Sequence, residues 1–70
     1  MEEKVALLFD IPRKLAPLRS KIHRQLNKIN AEKIQDSVWT SNRIDVLIEL
    51  ADEIRSSGAS AQVLKIEVIK

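Results

Sequence analysis

Seventy residues with a formal net charge of +2 and no cysteine allow one small domain without disulfides or thiolate-bound metal. The single histidine, His23, cannot hold zinc alone, and the longest uninterrupted apolar run, the five residues Val5 to Phe9, is far too short to cross a bilayer. Met1-Glu2-Glu3 does not open a signal peptide, so one cytoplasmic domain over residues 1–70 is expected, with no membrane contact and with oligomerisation as its remaining means of stabilisation.

Lys4 to Asp10 reads as a strand, short, rich in Val, Leu and Phe, and closed by Ile11-Pro12. It is apolar on both alternating faces, so both faces are expected to be covered, one by helices and the other by a partner chain. Leu15, Leu18, Ile22, Leu26 and Ile29 then recur at helical spacing and form one amphipathic stripe, with the helix proper starting near Ala16 so that Pro17 falls in its first turn. Ala31 to Thr40 is extended, and a change of apolar phase between Val38 and Trp39 predicts a bulge or corner, with two short strands split near Asp36-Ser37. Thr40-Ser41-Asn42 offers cap residues for a second helix, whose stripe is Ile44, Leu47, Ile48, Ala51 and Ile54 and whose end is marked by Gly58. Gln62 to Ile69 closes the chain as a strand, with Leu64, Ile66 and Val68 on one face and Val63, Lys65, Glu67 and Ile69 on the other.

Strand, helix, extended pair, helix, strand predicts an α+β fold: a ferredoxin-like βαββαβ sandwich, an antiparallel sheet with two helices on one face. That architecture hosts many unrelated activities, so function has to be read from side chains.

Charge is uneven along the chain. Residues 11–30 hold Arg13, Lys14, Arg19, Lys21, Arg24 and Lys28 with no acid, whereas residues 31–70 hold seven acids against five bases. At about 100° per residue, Arg13, Lys14, Lys21, Arg24 and Lys28 fall within an arc of about 100° if the first helix includes its first turn, and Arg19 lies at the far edge of the apolar stripe. Such a ridge suits the phosphate backbone of DNA or RNA, where neutralised phosphates release counterions. Lysines on a helix are also ordinary solvated surface, although the second helix mixes signs with Arg43, Asp45, Glu49, Asp52, Glu53 and Arg55. Phe9 and Trp39 are the only aromatic residues, which leaves no platform for stacking single strands and assigns both to the core or a dimer interface.

Asp10 ends the first strand after an apolar run. A carboxylate there can hold Mg²⁺ as one of a few hard oxygen ligands, and the ion can activate water against a phosphoryl group. One carboxylate is a thin site, and a two-fold dimer would bring two copies of Asp10 to a shared ion. Asp before Ile-Pro is equally good turn chemistry, the side chain accepting a nearby backbone N–H. Ser20 beside His23 is helical spacing, Asp36 and Ser37 suit a strand corner, and no glycine-rich phosphate loop is present.

Phe9-Asp10-Ile11 at the strand end, the basic segment Arg13 to Lys28, and Gln35, Ser37, Val38 and Trp39 entering the hairpin stand in order across almost the whole chain. Together they resemble the small CRISPR-associated protein that accompanies the integrase in spacer acquisition, the Cas-two family. The resemblance implies a ferredoxin-like homodimer, nucleic-acid binding on basic surfaces, and a Mg²⁺-dependent endonuclease centre in which Asp10 is the catalytic and metal-binding aspartate. It also places Arg13 and Arg19 among backbone-contacting bases, and some members serve as scaffolds that bridge integrase dimers. Thr40 stands where a glutamate commonly follows the aromatic, and the chain ends at Lys70, where members usually continue with a strand that exchanges with the partner. The Ser37 to Ser41 stretch also resembles the C-terminal domain of the phenylacetate-degradation transcriptional repressor, which implies a non-catalytic dimerisation or regulatory module as the alternative.

Overall fold

The computed structural model describes residues 4–66. Strand β1 (Val5–Asp10) leads through a 3-10 turn (Arg13–Leu15) into α1 (Ala16–Lys28). A hairpin, β2 (Glu32–Gln35) and β3 (Val38–Ser41), follows, then α2 (Ile44–Ser56) and β4 (Ser60–Lys65). The strands form one antiparallel sheet in the order β2-β3-β1-β4. The two central strands are β1 and β3, and each is followed by a helix that delivers the chain to an edge, which is the expected ferredoxin-like α+β arrangement.

Alternation along β1 decides what is buried. Val5, Leu7 and Phe9 join a core with Ile22 and Leu26 of α1, Leu47, Leu50, Ala51 and Ile54 of α2, and Trp39 and Ala61 from the neighbouring strands. Leu7 lies opposite Trp39 on one side and Val63 on the other, so the three share the helix-covered face. Leu7, Ile22, Leu26, Leu47 and Ile54 are fully buried, each worth about 1.5–3 kcal/mol of transfer from water. On the other face Leu8 and Val38 are only half-buried, and Leu64 is 47 % exposed. Among the described residues the helix side is covered along the strand, whereas the other side is buried only in its centre, at Ala6 and Thr40 with 4 % and 5 % exposure.

Three local expectations are corrected. Ile48 is not in the α2 core stripe: it is 47 % exposed, and Leu50 takes the buried position instead. A thirteen-residue helix with Leu47, Ala51 and Ile54 inward has room for one more inward residue on either flank, and packing selects Leu50. The second helix also starts later than its polar cap residues suggest. Arg43 is its flanking residue, and the Ser41 hydroxyl accepts from the Arg43 N–H at 3.0 Å without capping the helix itself. Finally, β4 begins at Ser60, two positions before the expected Gln62, because Ser60 pairs with Asp10. The expectations for Glu67, Val68 and Ile69 lie outside the described residues.

The hairpin turn falls at Asp36-Ser37, as expected, and the irregularity sits in β2. Lys33 pairs with Trp39 and Gln35 with Val38, so Ile34 is the extra residue, 55 % exposed.

Both helices stop in the same way. At the end of α2, Gly58 has φ 91°, its N–H donates to Arg55 O at 3.0 Å, and the Ala59 N–H donates to Ile54 O at 3.2 Å. At the end of α1, Asn30 has φ 57° and donates to Asn27 O at 3.1 Å, while Ala31 donates to Leu26 O at 3.0 Å. These are two Schellman motifs, one on the residue that enters the left-handed region freely and one on the residue that tolerates it best among the rest.

Candidate nucleic-acid interface

Asp10 is the exposed last residue of β1. The next residue, Ile11, is buried at 4 % exposure, and Pro12, with φ −65°, starts the 3-10 turn by accepting the Leu15 N–H at 2.9 Å. Among the described residues nothing donates a hydrogen bond to the Asp10 carboxylate and no cation pairs with it. The turn is therefore held by the burial of Ile11 and the fixed φ of proline, and the side-chain turn bond expected of Asp10 is not made.

The basic segment departs from a single ridge. Arg13 and Lys14 lie in the 3-10 turn, which advances about 120° per residue, so they are out of phase with α1. Lys21, Arg24 and Lys28 remain within an arc of about 60°. Lys21 does not stand free, because its Nζ lies 2.7 Å from Glu53 of α2. Arg19 falls on the opposite flank of the α1 stripe, nearer the hairpin, where its charge reaches Asp36. All six cations are exposed.

Pairing separates this segment from the rest of the molecule. Lys4, Lys33, Arg43 and Arg55 lie against Glu32, Asp36, Asp45 and Asp52 at 3.6, 2.7, 3.6 and 3.1 Å. Arg13, Lys14, Arg19, Arg24 and Lys28 have no carboxylate within salt-bridge distance among the described residues. A peptide segment with five unpaired cations in sixteen positions is a local source of positive potential even though the whole chain is only +2.

Phe9 and Trp39 are buried at 6 % and 4 % exposure. Between their rings sits His23, with centroids 6.0 and 5.6 Å away. The Trp39 indole N–H donates to the Asp36 carbonyl at 3.1 Å, and His23 Nε2 lies 3.3 Å from the same oxygen. The hairpin turn is thus tied to α1 through a shared carbonyl. The hydrogen bond and positive charge of Lys33 hold the Asp36 carboxyl below its usual value against slight desolvation, with Arg19 and His23 adding to the lowering. From sequence His23 reads as one more helical polar residue. Its place on the flank of the α1 stripe is visible there, but the carbonyl it meets is thirteen residues away and brought to it only by the fold.

An open cleft of about 300 Å³ lies where β1, β4 and the hairpin turn end, lined by Leu8 and Val38 with Ser37, Ser60 and Gln62 around them. Asp10 is paired with Ser60 at its rim. Among the described residues no group of three or more His, Asp or Glu is placed to hold a metal ion, so they offer Asp10 as a lone carboxylate. Nor is any helix among them long and apolar enough to cross a membrane.

Fold and surface together define a small α+β protein with a ferredoxin-like sheet and a first helix that carries cations and no acid. Comparisons with protein-family models, curated proteins and solved structures found no match to this chain.

Proposed function

We propose that this chain binds the phosphate backbone of DNA or RNA through α1 and the 3-10 turn before it. On this reading it is a cytoplasmic homodimer that resembles the Cas-two component of CRISPR spacer acquisition, in antiviral defence, with an integrase as a further partner. The observation that supports it is the distribution of pairing: Arg13, Lys14, Arg19, Arg24 and Lys28 are exposed without carboxylates among the described residues, while Lys4, Lys33, Arg43 and Arg55 each have one. Unpaired surface cations exchange their counterions for phosphates at little cost, and that release supplies most of the affinity for a nucleic-acid backbone. Exposed cations already held by carboxylates do so less readily.

Hydrolysis is a separate step of the proposal. A Mg²⁺-dependent endonuclease would use Asp10 as catalytic and metal-binding residue, and since the described residues offer one carboxylate there, a second copy of Asp10 would complete the site. The non-catalytic alternative, a dimerisation or regulatory module similar to the C-terminal domain of the phenylacetate-degradation repressor, draws support from Asp10 itself. A working ligand is held in one orientation by neighbours, and the described residues supply none.

Anisotropy with labelled duplex DNA and single-stranded RNA, with Mg²⁺ and with chelator, tests both steps. Wild type and Asp10→Ala are expected to bind alike, and the combined Arg13→Glu, Arg24→Glu and Lys28→Glu variant is expected to lose binding. Equal binding by that variant ends the α1 reading. Chelator-sensitive cleavage by wild type that Asp10→Ala abolishes selects the endonuclease, and an identical background for both selects the scaffold.

A further inference from the structure

Among the ion pairs of the described residues, the one between Lys21 and Glu53 differs from the other four. It joins the two helices at 2.7 Å, and the Glu53 side chain is 36 % exposed where the other four carboxylates are 64–74 % exposed. Helical phase accounts for the meeting. Lys21 lies about 60° from half-buried Leu18 and is closer to the α1 stripe than Arg24 or Lys28. Glu53 lies about 60° from buried Leu50 and about 140° from exposed Ile48. The flank of α2 that buries Leu50 is therefore the flank turned to α1, and Glu53 stands at the seam between the helices.

We infer that Glu53 sets the edge of the phosphate-binding surface: its carboxylate takes the place of a phosphate on Lys21 and turns a nucleic-acid backbone away from the seam, onto Arg24, Lys28 and the cations of the 3-10 turn. This deepens the nucleic-acid reading above and rests on it. A phosphate that takes Lys21 releases a counterion from the nucleic acid. It also strips Glu53 of its cation, and the bared carboxylate takes a counterion up again, so the exchange gains little. Arg24 and Lys28 have no carboxylate within salt-bridge distance among the described residues and release counterions without that offset.

The neighbours of Glu53 reinforce the boundary. Arg55 does not replace Lys21, because a residue two positions on faces elsewhere and its guanidinium already donates to the Asp52 carboxylate and the Ala61 carbonyl at 3.1 and 3.0 Å. Glu49, one turn before Glu53 on the same side of α2, has no cation partner among the described residues and adds a second negative charge beside the seam. Glu53 acts through Lys21 and is a positioning residue, so removing its charge strengthens binding. The pair is partly exposed, and exposed pairs are worth about 0.2–1 kcal/mol, so the gain is about 1.5- to 5-fold in affinity.

Anisotropy on a labelled DNA duplex over a salt series tests it, using wild type, Glu53→Gln, Glu49→Gln, Lys21→Gln, Arg24→Gln and the Lys21→Gln, Glu53→Gln double variant, with circular dichroism as the check on folding. Glu53→Gln is expected to bind about 1.5- to 5-fold more tightly than wild type at low salt, with a slope of log affinity against log salt steeper by about 0.9, one further phosphate neutralised. Glu49→Gln, which frees no cation, gains less and keeps the wild-type slope. In the double variant the gain disappears, because the cation it released is gone. Lys21→Gln makes the slope shallower by less than Arg24→Gln does, a comparison that stands even if Glu53→Gln does not fold. A gain from Glu53→Gln no larger than that from Glu49→Gln, or one that persists without Lys21, reflects net charge alone and overturns the inference. So does a Lys21→Gln loss equal to that of Arg24→Gln, which means that Lys21 already holds a phosphate. The two proposals fail differently. Salt-dependent binding by wild type with no added slope in Glu53→Gln sinks this one alone, whereas no binding by wild type or by Glu53→Gln sinks the nucleic-acid reading and this inference with it.

Discussion

The helices α1 and α2 are each thirteen residues long, both bury one apolar stripe on the same sheet, and both end in a Schellman motif. Their outer faces differ in charge. α1 carries Arg19, Lys21, Arg24 and Lys28 without one acid, while α2 carries Asp45, Glu49, Asp52 and Glu53 with Arg55. Packing needs the inner faces to be alike and is indifferent to the outer ones, because a solvated charge on either helix changes stability little. A charge difference that folding does not require is where function is most economically sought.

The largest expected effects should fall equally on both helices. Leu26→Ala in α1 and Leu47→Ala in α2 each empty a fully buried site, and denaturant melts should show a loss of about 2–5 kcal/mol for either. Unequal losses beyond that range would break the claim that the inner faces are equivalent. The helix ends sharpen the comparison next. Gly58→Ala forces a Cβ into φ 91° with no steric clash around it, so backbone strain alone should cost about 1 kcal/mol. Asn30→Gly at φ 57° relieves a milder version of the same strain and should shift stability by about 0.5 kcal/mol or less. Thermal unfolding of the two variants reads the difference directly.

The smallest effect is at the hairpin. The Asp36 carboxyl is lowered in the folded chain by Lys33, so its contribution is complete above the ordinary carboxylate value and is lost as pH falls through the lower folded value. Asp36→Asn should remove that small acid-side loss and leave stability at neutral pH nearly unchanged, as followed by unfolding midpoints across the acid range. Because the pair is exposed, added salt should shrink the effect.

Much of this is legible in the sequence. Period-two and helical apolar spacing place the four strands and two helices to within a few residues, because burial of one face is what those periods record, while the 3-10 turn at Arg13–Leu15 leaves no such mark. Ile48 and Leu50 exchange roles because two inward flanks are equivalent on a helical wheel until tertiary packing chooses between them. The Schellman turn at Asn30 escapes a sequence reading because asparagine is a weaker mark of the left-handed region than glycine. For the site, the cations are visible but their pairing is not. Lys21 is held by Glu53, thirty-two positions away, and Arg13 and Lys14 leave the ridge because Pro12 starts a tighter turn. The place of Asp10 at a strand end is plain from the chain, whereas the isolation of its carboxylate from backbone donors among the described residues needs coordinates.

Salt dependence of binding to a short duplex, compared between wild type and the Arg24→Glu, Lys28→Glu variant, tests the central claim most directly. For wild type, log affinity should fall steeply with log salt, at about −0.9 per phosphate neutralised. In the variant the slope should be shallower by about 2 and the affinity lower at every salt concentration, with an unchanged melting temperature. Identical slopes for the two proteins, or a wild type whose binding ignores salt, would contradict the account.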